Sequence, residues 1–149
     1  KALQLGTGAL GLGGGLLYSQ HVGAFWLHVG VEYFYNFENG DDYRFGDRLR
    51  GGFAAHWTPS TRTMLGVEFD ITNTWQSQDG RRAGDSDIPN SGGLVVTGNL
   101  VAQQRLANFW GGNLNLRGLI GMPFYEYLNG PQLGEDFHAM VALQWKRRF

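Results

Sequence analysis

The sequence predicts an all-β fold, an antiparallel transmembrane β-barrel, and three observations support this prediction. Apolar and polar residues alternate along repeated segments, as they do in strands and not in helices. The connections between these segments alternate between short and long. Aromatic residues gather near the segment ends, where membrane barrels carry aromatic girdles.

Composition limits the chain to one domain and weakens the case for helices. The chain has 149 residues, of which 24 are glycine, whereas a soluble protein averages about 7% glycine. Each glycine in a helix costs roughly 1 kcal/mol relative to alanine. The formal net charge of -1 argues against nucleic acid as a partner. The absence of cysteine excludes disulfides and thiolate metal sites.

The first predicted strand lies within residues 9–19. Every second residue forms one set, and small residues lie between its members. This set is Leu10, Leu12, Gly14, Leu16 and Tyr18. Residues 2–31 carry no Asp, Glu, Lys or Arg, so a transmembrane helix is an alternative to the strand. The many glycines of this stretch, together with Gln4 and Gln20, favour the strand.

The second segment has the clearest alternation. One face carries Phe25, Leu27, Val29, Val31, Tyr33, Tyr35 and Phe37. The other carries Trp26, His28, Gly30, Glu32, Phe34, Asn36 and Glu38. The pattern recurs over residues 48–57, 64–72, 94–103, 113–125 and 137–146, with Tyr125 placed on the polar face. This gives about seven strands near the ~9–11 residues of a membrane-spanning strand, longer than the ~5–6 usual in soluble sheets.

The connections predict an orientation in the membrane. Short turns are expected at residues 19–22, 58–62 and 107–111, and longer loops at 39–45, 76–93 and 128–136. Outer-membrane barrels have short periplasmic turns and longer extracellular loops. We therefore expect the bacterial outer membrane as the location, with a periplasmic C-terminus.

Aromatic residues fall near both ends of the predicted strands. Those near the short turns are Tyr18, Phe25, Trp57, Phe109, Trp110, Trp145 and Phe149. Those near the long loops are Tyr35, Phe37, Tyr43, Phe45, Trp75, Phe124, Tyr127 and Phe137. A general preference of aromatics for strands does not explain clustering at both ends.

The odd strand number predicts that the barrel has further strands. Single-chain bacterial barrels have even strand numbers. We therefore expect residues 1–149 to be a single outer-membrane domain that forms the C-terminal part of a longer chain. Two alternatives remain open, which are completion of the barrel by other chains and a first segment that hides two strands.

The opening sequence, GTGALGLGGGLLYSQHVGAFWLHVGVEY, resembles a known group of outer-membrane barrels, the phenol-degradation meta-pathway family. The resemblance rests on Gly6-Thr7-Gly8, Tyr18-Ser19 and Leu27-His28, and on the hairpin TPSTRTMLGVEF. It implies a longer parent chain and a transporter or pore role.

The C-terminus resembles the insertion signal of outer-membrane proteins. Phe149 is a terminal aromatic, preceded at alternate positions by Trp145, Leu143 and Val141, whereas Arg147 departs from the pattern. The signal implies the barrel-assembly machinery as a partner. Outer-membrane lipid and lipopolysaccharide are expected around the barrel, and other envelope proteins remain open as partners.

The polar face supplies the candidate lumen-lining residues, and they alternate in charge from strand to strand. They are Glu32, Arg48, Arg50, His56, Glu68, Asp70, Arg105, Arg117 and His138. Opposite charges on neighbouring strands stabilise a sheet. Two interpretations stay open, which are a closed lumen filled by ion pairs and a charged pore lining that selects solutes.

We predict no catalytic, cofactor or metal site. Serines are scarce in the strands, no metal-ligand spacing is present, and the Asp residues of loop 76–93 lack a calcium-binding run. The predicted function is a passive channel or transporter for small solutes, not an enzyme. The alternatives are a non-conducting barrel that anchors an envelope assembly and, with less support, a lipid-modifying barrel enzyme.

Overall fold

The computed structural model describes residues 9–81, 87–130, 134 and 136–147, and all its regular elements are strands. They are β1 Gly11–Val22, β2 Phe25–Asn36, β3 Tyr43–Arg44, β4 Arg48–Trp57, β5 Thr63–Thr74, β6 Gln78–Asp79, β7 Gly93–Phe109, β8 Gly112–Leu128 and β9 His138–Arg147. The all-β prediction is confirmed. Within the described residues we find no helix with the length and apolar character that a helical membrane span requires.

The long strands form one antiparallel meander. Their order in the sheet is β1-β2-β4-β5-β7-β8-β9, so each of the seven pairs with the next long strand along the chain. The predicted number of long strands is therefore confirmed. Over the described ranges, β1 pairs only with β2 and β9 only with β8, so the structure shows an open sheet.

Tight turns join the long strands at one end of the sheet. Gly23, with φ 61°, opens the turn between β1 and β2, as expected for the first central residue of a type II′ turn. Trp110 and Gly111 both have positive φ, the type I′ pattern, between β7 and β8. The turn predicted at residues 19–22 is wrong, because β1 continues to Val22. The turn at 58–62 is confirmed.

The two faces of the sheet differ in chemistry and in exposure. The apolar face carries Val29, Val31, Val67, Leu100 and Val141, and Leu100 is 62% and Val141 78% exposed. The opposite side, here called the polar face, carries His28, Glu32, Glu68, Asn99 and His138.

Burial in this sheet is the reverse of that in a soluble protein, where polar residues are mostly exposed. The buried side chains within the described strands all lie on the polar face. They are Asn99 (7% exposed), Asn115 (4%) and Val101 (3%), so Val101 is the one buried apolar side chain among the described residues. Among the described residues, no protein layer covers the apolar side chains of the other face.

A β-bulge changes the face assignment in β8. Val96 pairs with Tyr125 and Thr97 with Pro123, so Phe124 is an extra residue on its strand. Tyr125 therefore pairs with a residue of the apolar face, and its predicted place on the polar face is wrong. The prediction assumed strict alternation along β8, which the extra residue at the bulge interrupts.

The long loops between strands meet at the other end of the sheet. β3 pairs with β6, and the Gly80 amide donates to the Asp42 carbonyl at 2.8 Å. Asp47 accepts hydrogen bonds from the Tyr33 hydroxyl at 2.9 Å, the Asn36 amide at 3.0 Å and the Arg44 guanidinium at 2.7 Å. Burial alone would raise the pKa of Asp47, but these three donors together lower it below its ordinary value.

We expect Asp47→Asn to reduce stability at neutral pH and to flatten its acid dependence. A carboxyl whose pKa is lower in the folded state stabilises the fold above its unfolded pKa of about 3.9. That contribution disappears as the pH falls through the folded value. Loss of charge-assisted bonds should cost about 1–3 kcal/mol at pH 7. Thermal unfolding in detergent at pH 7 and pH 3 measures this.

The control variant for this experiment is Asp41→Asn, since Asp41 is exposed in the same loop. We expect it to unfold as the wild type does at both pH values. If the stability of Asp47→Asn falls between pH 7 and pH 3 as much as that of the wild type, Asp47 is not the cause of the acid dependence.

Candidate functional site

A single row of paired residues crosses the polar face from the first long strand to the last. Each residue is the register partner of the next: Ser19, His28, Ala54, Glu68, Asn99, Gly121 and His138. Side chains in such a row lie about 4.5–5.5 Å apart and so can interact directly. The row and the charged residues beside it form the candidate site.

Near the β1 end of the row, aromatic rings of β1, β2 and β4 form a series of contacts. His21 lies 4.5 Å from Trp26, Trp26 lies 6.3 Å from His28, and His28 lies 5.2 Å from His56, measured between ring centroids. Ser19 Oγ is 2.8 Å from His28 Nδ1. His21 belongs to this ring series because β1 continues past the point where the sequence predicted a turn.

Glu68 joins three strands at the centre of the site. Its Oε1 atom lies 2.9 Å from His56 Nε2 on β4 and 2.9 Å from the Arg117 guanidinium on β8. The side chains of His56, Glu68 and Arg117 are 12%, 19% and 24% exposed. Partial burial weakens solvent screening of these pairs, so removing one partner leaves a poorly solvated charge.

Space for the His56 ring depends on a glycine of the neighbouring strand. The ring lies against Gly66, and a Cβ added at that position would overlap it. A second glycine, Gly121, lies beneath the bond between His138 Nε2 and Asn99 Oδ1, which are 2.7 Å apart. Gly66, beside the row, and Gly121, within it, therefore leave room for the side chains of neighbouring strands.

A second acidic residue, Asp70, links the row to the basic strand β4. The Arg50 guanidinium is 3.6 Å from Asp70 Oδ1, and the Asn99 amide donates to Asp70 Oδ2 at 3.4 Å. Glu32 is the register partner of Arg50, yet Arg50 pairs with Asp70. The expected meeting of basic β4 with acidic β5 is confirmed.

An open groove next to these charges is lined by glycines together with the side chains of Leu16, Leu17, Val31 and Phe34. Its volume is about 630 Å³, and its charged lining residues are Glu32, Arg50 and Asp70. Glycines of β1, β2 and β4 form much of its wall: Gly13, Gly14, Gly15, Gly30, Gly51 and Gly52. Of these glycines, Gly13, Gly15, Gly30 and Gly52 lie on the polar face and leave it open beside the three charges, whereas Gly14 and Gly51 lie on the apolar side.

Strand register places all the predicted lumen-lining residues on the polar face. His56, Glu68, Asp70, Arg117 and His138 belong to the bonded network, and Arg50 reaches it through Asp70. Three lie on this face outside the network, and they are Glu32, Arg48 and Arg105. The Arg48 guanidinium is 5.7 Å from the centre of the Phe34 ring.

Some residues of the network were not singled out from the sequence. Ser19 and Asn99 both take part, and each lies at the polar phase of its strand's alternation. Asn99 lies between Gly98 and Leu100 in an otherwise largely apolar stretch, and an amide that is buried there requires a hydrogen-bond partner.

The predicted insertion signal is described only in part. The Trp145 indole donates to the Phe109 carbonyl at 3.3 Å, and its ring lies over Gly112. Phe109 and Trp145 both lie on the apolar face at the short-turn end of the sheet. Phe149 lies outside the described residues.

The chemistry of the site is that of charge pairing and hydrogen bonding. Over the described residues, no group of three or more His, Asp or Glu side chains could hold a metal ion. Ser19 and His28 are in contact, but no carboxylate among the described residues orients the His28 ring. Nucleophilic catalysis needs a base that is itself oriented by a third group.

Comparison with known proteins gives no relative from which function could be transferred. No family model, no curated protein and no solved structure matches the chain. The family resemblance in the opening sequence therefore stays a prediction, and the functional argument rests on the two faces of the sheet.

Proposed function

We propose that this chain forms a bacterial outer-membrane β-barrel that acts as a passive channel or transporter for small solutes. The supporting observation is the reversed burial of its sheet, with charged and amide side chains bonded together on one face. A sheet with so large an uncovered apolar face would aggregate in water. In a barrel, that face contacts lipid and the polar face lines the interior.

Strand length and turn arrangement also support the proposal. The long strands have 10 to 17 residues, enough to cross a bilayer when tilted. The tight turns lie together at one end of the sheet and the long loops at the other. On this proposal the tight turns and the C-terminus are periplasmic, and lipid, lipopolysaccharide and the assembly machinery are the partners.

The glycine-walled groove is the proposed route for solutes. The groove carries both positive and negative charges. The balance between them would therefore determine whether cations or anions pass more easily. Arg50 is 55% and Asp70 35% exposed, which leaves both accessible to an ion passing along the groove.

Conductance in a planar lipid bilayer tests the channel proposal. We expect the reconstituted protein to conduct, Asp70→Asn to shift the reversal potential toward anion preference, and Arg50→Gln to shift it toward cation preference. Asp41→Asn makes the same charge change in an exposed loop and should shift it little. Conductance that neither groove variant alters would place the solute route elsewhere.

A second function, a non-conducting barrel that anchors an envelope assembly, has its own support. The bonds of Glu68, Asn99 and Asp70 join side chains across the polar face and could fill a narrow interior. A protein that inserts in lipid but conducts nothing would favour this alternative. A lipid-modifying enzyme has less support, because the contact between Ser19 and His28 lacks an orienting acid.

A further inference from the structure

A separate pocket lies on the polar face where the turn 58–62 meets β7. Its volume is about 320 Å³, and it lies on the short-turn side of the Glu68 cluster. Its lining carries two arginines, Arg62 and Arg105, with hydrogen-bonding groups from His56, Asn115 and Thr61. None of the side chains that line it is acidic. The pocket therefore offers positive charge and donors without an acid to neutralise them.

The two arginines are held at one place by the backbone. The Arg105 amide donates to the Arg62 carbonyl at 2.7 Å, which fixes the turn against β7. Because the two residues are joined at this point, their side chains reach the pocket from neighbouring positions. The site does not depend on two independently mobile segments meeting.

The Arg105 guanidinium differs from those of Arg50 and Arg117, which pair with Asp70 and Glu68. No carboxylate of the described residues pairs with Arg105, and its Nε atom is buried without a hydrogen-bond acceptor. A buried donor that lacks an acceptor carries a desolvation cost, and a cationic donor carries more than a neutral one. An incoming acceptor with negative charge would remove that cost.

We propose that this pocket binds a small oxyanion group, a carboxylate or a phosphate, through Arg105 and Arg62. Arginine presents a planar set of donors that matches both groups. The hydroxyls and amides around the arginines can bond the remaining oxygens. This inference goes beyond the proposed channel, because such binding is measurable in a protein that conducts nothing.

The test is titration calorimetry of the full chain, folded in a neutral detergent, with inorganic phosphate and with acetate. We expect at least one of the two anions to bind at a single site. Loss of the charge-assisted bonds in Arg105→Gln should weaken binding by about tenfold or more. Arg62→Gln should weaken it as well.

The matched control is Arg48→Gln, which removes an arginine from the same face at its long-loop end and should leave binding unchanged. If Arg105→Gln does not fold, Arg105→Lys keeps the charge, loses the planar donors and should bind more weakly. The proposal is overturned if neither anion binds the wild type, or if the Arg105 and Arg62 variants bind as the wild type does.

A second arm separates a dissolved anion from a lipid headgroup. The protein is reconstituted in phosphatidylcholine vesicles with and without phosphatidic acid, and phosphate binding is measured in both. Unchanged binding assigns the pocket to dissolved anions. If phosphate binds in vesicles of phosphatidylcholine alone but not in vesicles that also contain phosphatidic acid, the lipid occupies the pocket. That result assigns the pocket to a phosphate headgroup at the membrane surface.

Discussion

Leu100→Arg is expected to destabilise the protein in a membrane by about 2–4 kcal/mol, the cost of an arginine facing lipid near the bilayer centre. Leu100 is 62% exposed and lies in the middle of the apolar face, between Val67 and Ile120. In the proposed barrel, lipid covers this face, so the introduced guanidinium would lie in lipid. Urea unfolding from phospholipid vesicles, followed by tryptophan fluorescence, measures the change.

Thr97→Arg is the matched control, because it adds the same charge three residues away on the opposite face. Thr97 is the register partner of Asp70, so the new guanidinium would meet an acid on the polar side. We expect its free energy of unfolding to change by less than about 1 kcal/mol, as for a partly exposed ion pair. Equal losses in the two variants would argue that the apolar face does not contact lipid.

Gly121→Ala is expected to have the second-largest effect, a loss of about 1–3 kcal/mol from overpacking. The added Cβ would overlap Asn99 Oδ1 and lie close to His138 Nε2. The bond between these two side chains would have to break or shift, and β9 is joined to β7 through it. The free energy of unfolding in detergent or vesicles gives the measurement.

Gly118→Ala, three residues earlier on the same strand, provides the opposite expectation. A Cβ at Gly118 meets no atom within 4 Å. Replacing glycine in a strand reduces the entropy lost on folding, so this variant should be more stable by roughly 0.5–1 kcal/mol. If both alanine variants were equally destabilised, the cause would be the loss of glycine itself and not the crowding of the His138 contact.

The long strands and their faces could be predicted because alternation is a local property of the sequence. Residues 25–37 alternate without a break, and β2 has the predicted faces. The predicted first strand ends too early, at Ser19, because Gln20 and His21 interrupt the apolar pattern. The turn itself begins at Gly23, which has a positive φ. A polar pair inside a strand and a polar turn look alike when only one sequence is read.

Two other features depend on tertiary contacts that no local pattern shows. The bulge at Phe124 shifts the phase of β8, and its ring packs over Gly98 of the neighbouring strand. Arg50 pairs with Asp70 although Glu32 is its direct partner in register, because diagonal neighbours are within reach of a long side chain. Charge alternation therefore predicted the face and not the partners.

The meander also determines how far apart in sequence the contacting residues are. Every long strand pairs with its neighbour in the chain, so contact order is low for a sheet of this size. The hairpins β1-β2, β4-β5 and β7-β8, closed by tight turns, should form first. The pairing of β5 with β7 closes the longest connection in the sheet, and pulsed hydrogen exchange during refolding should find its amides protected after those of the three hairpins.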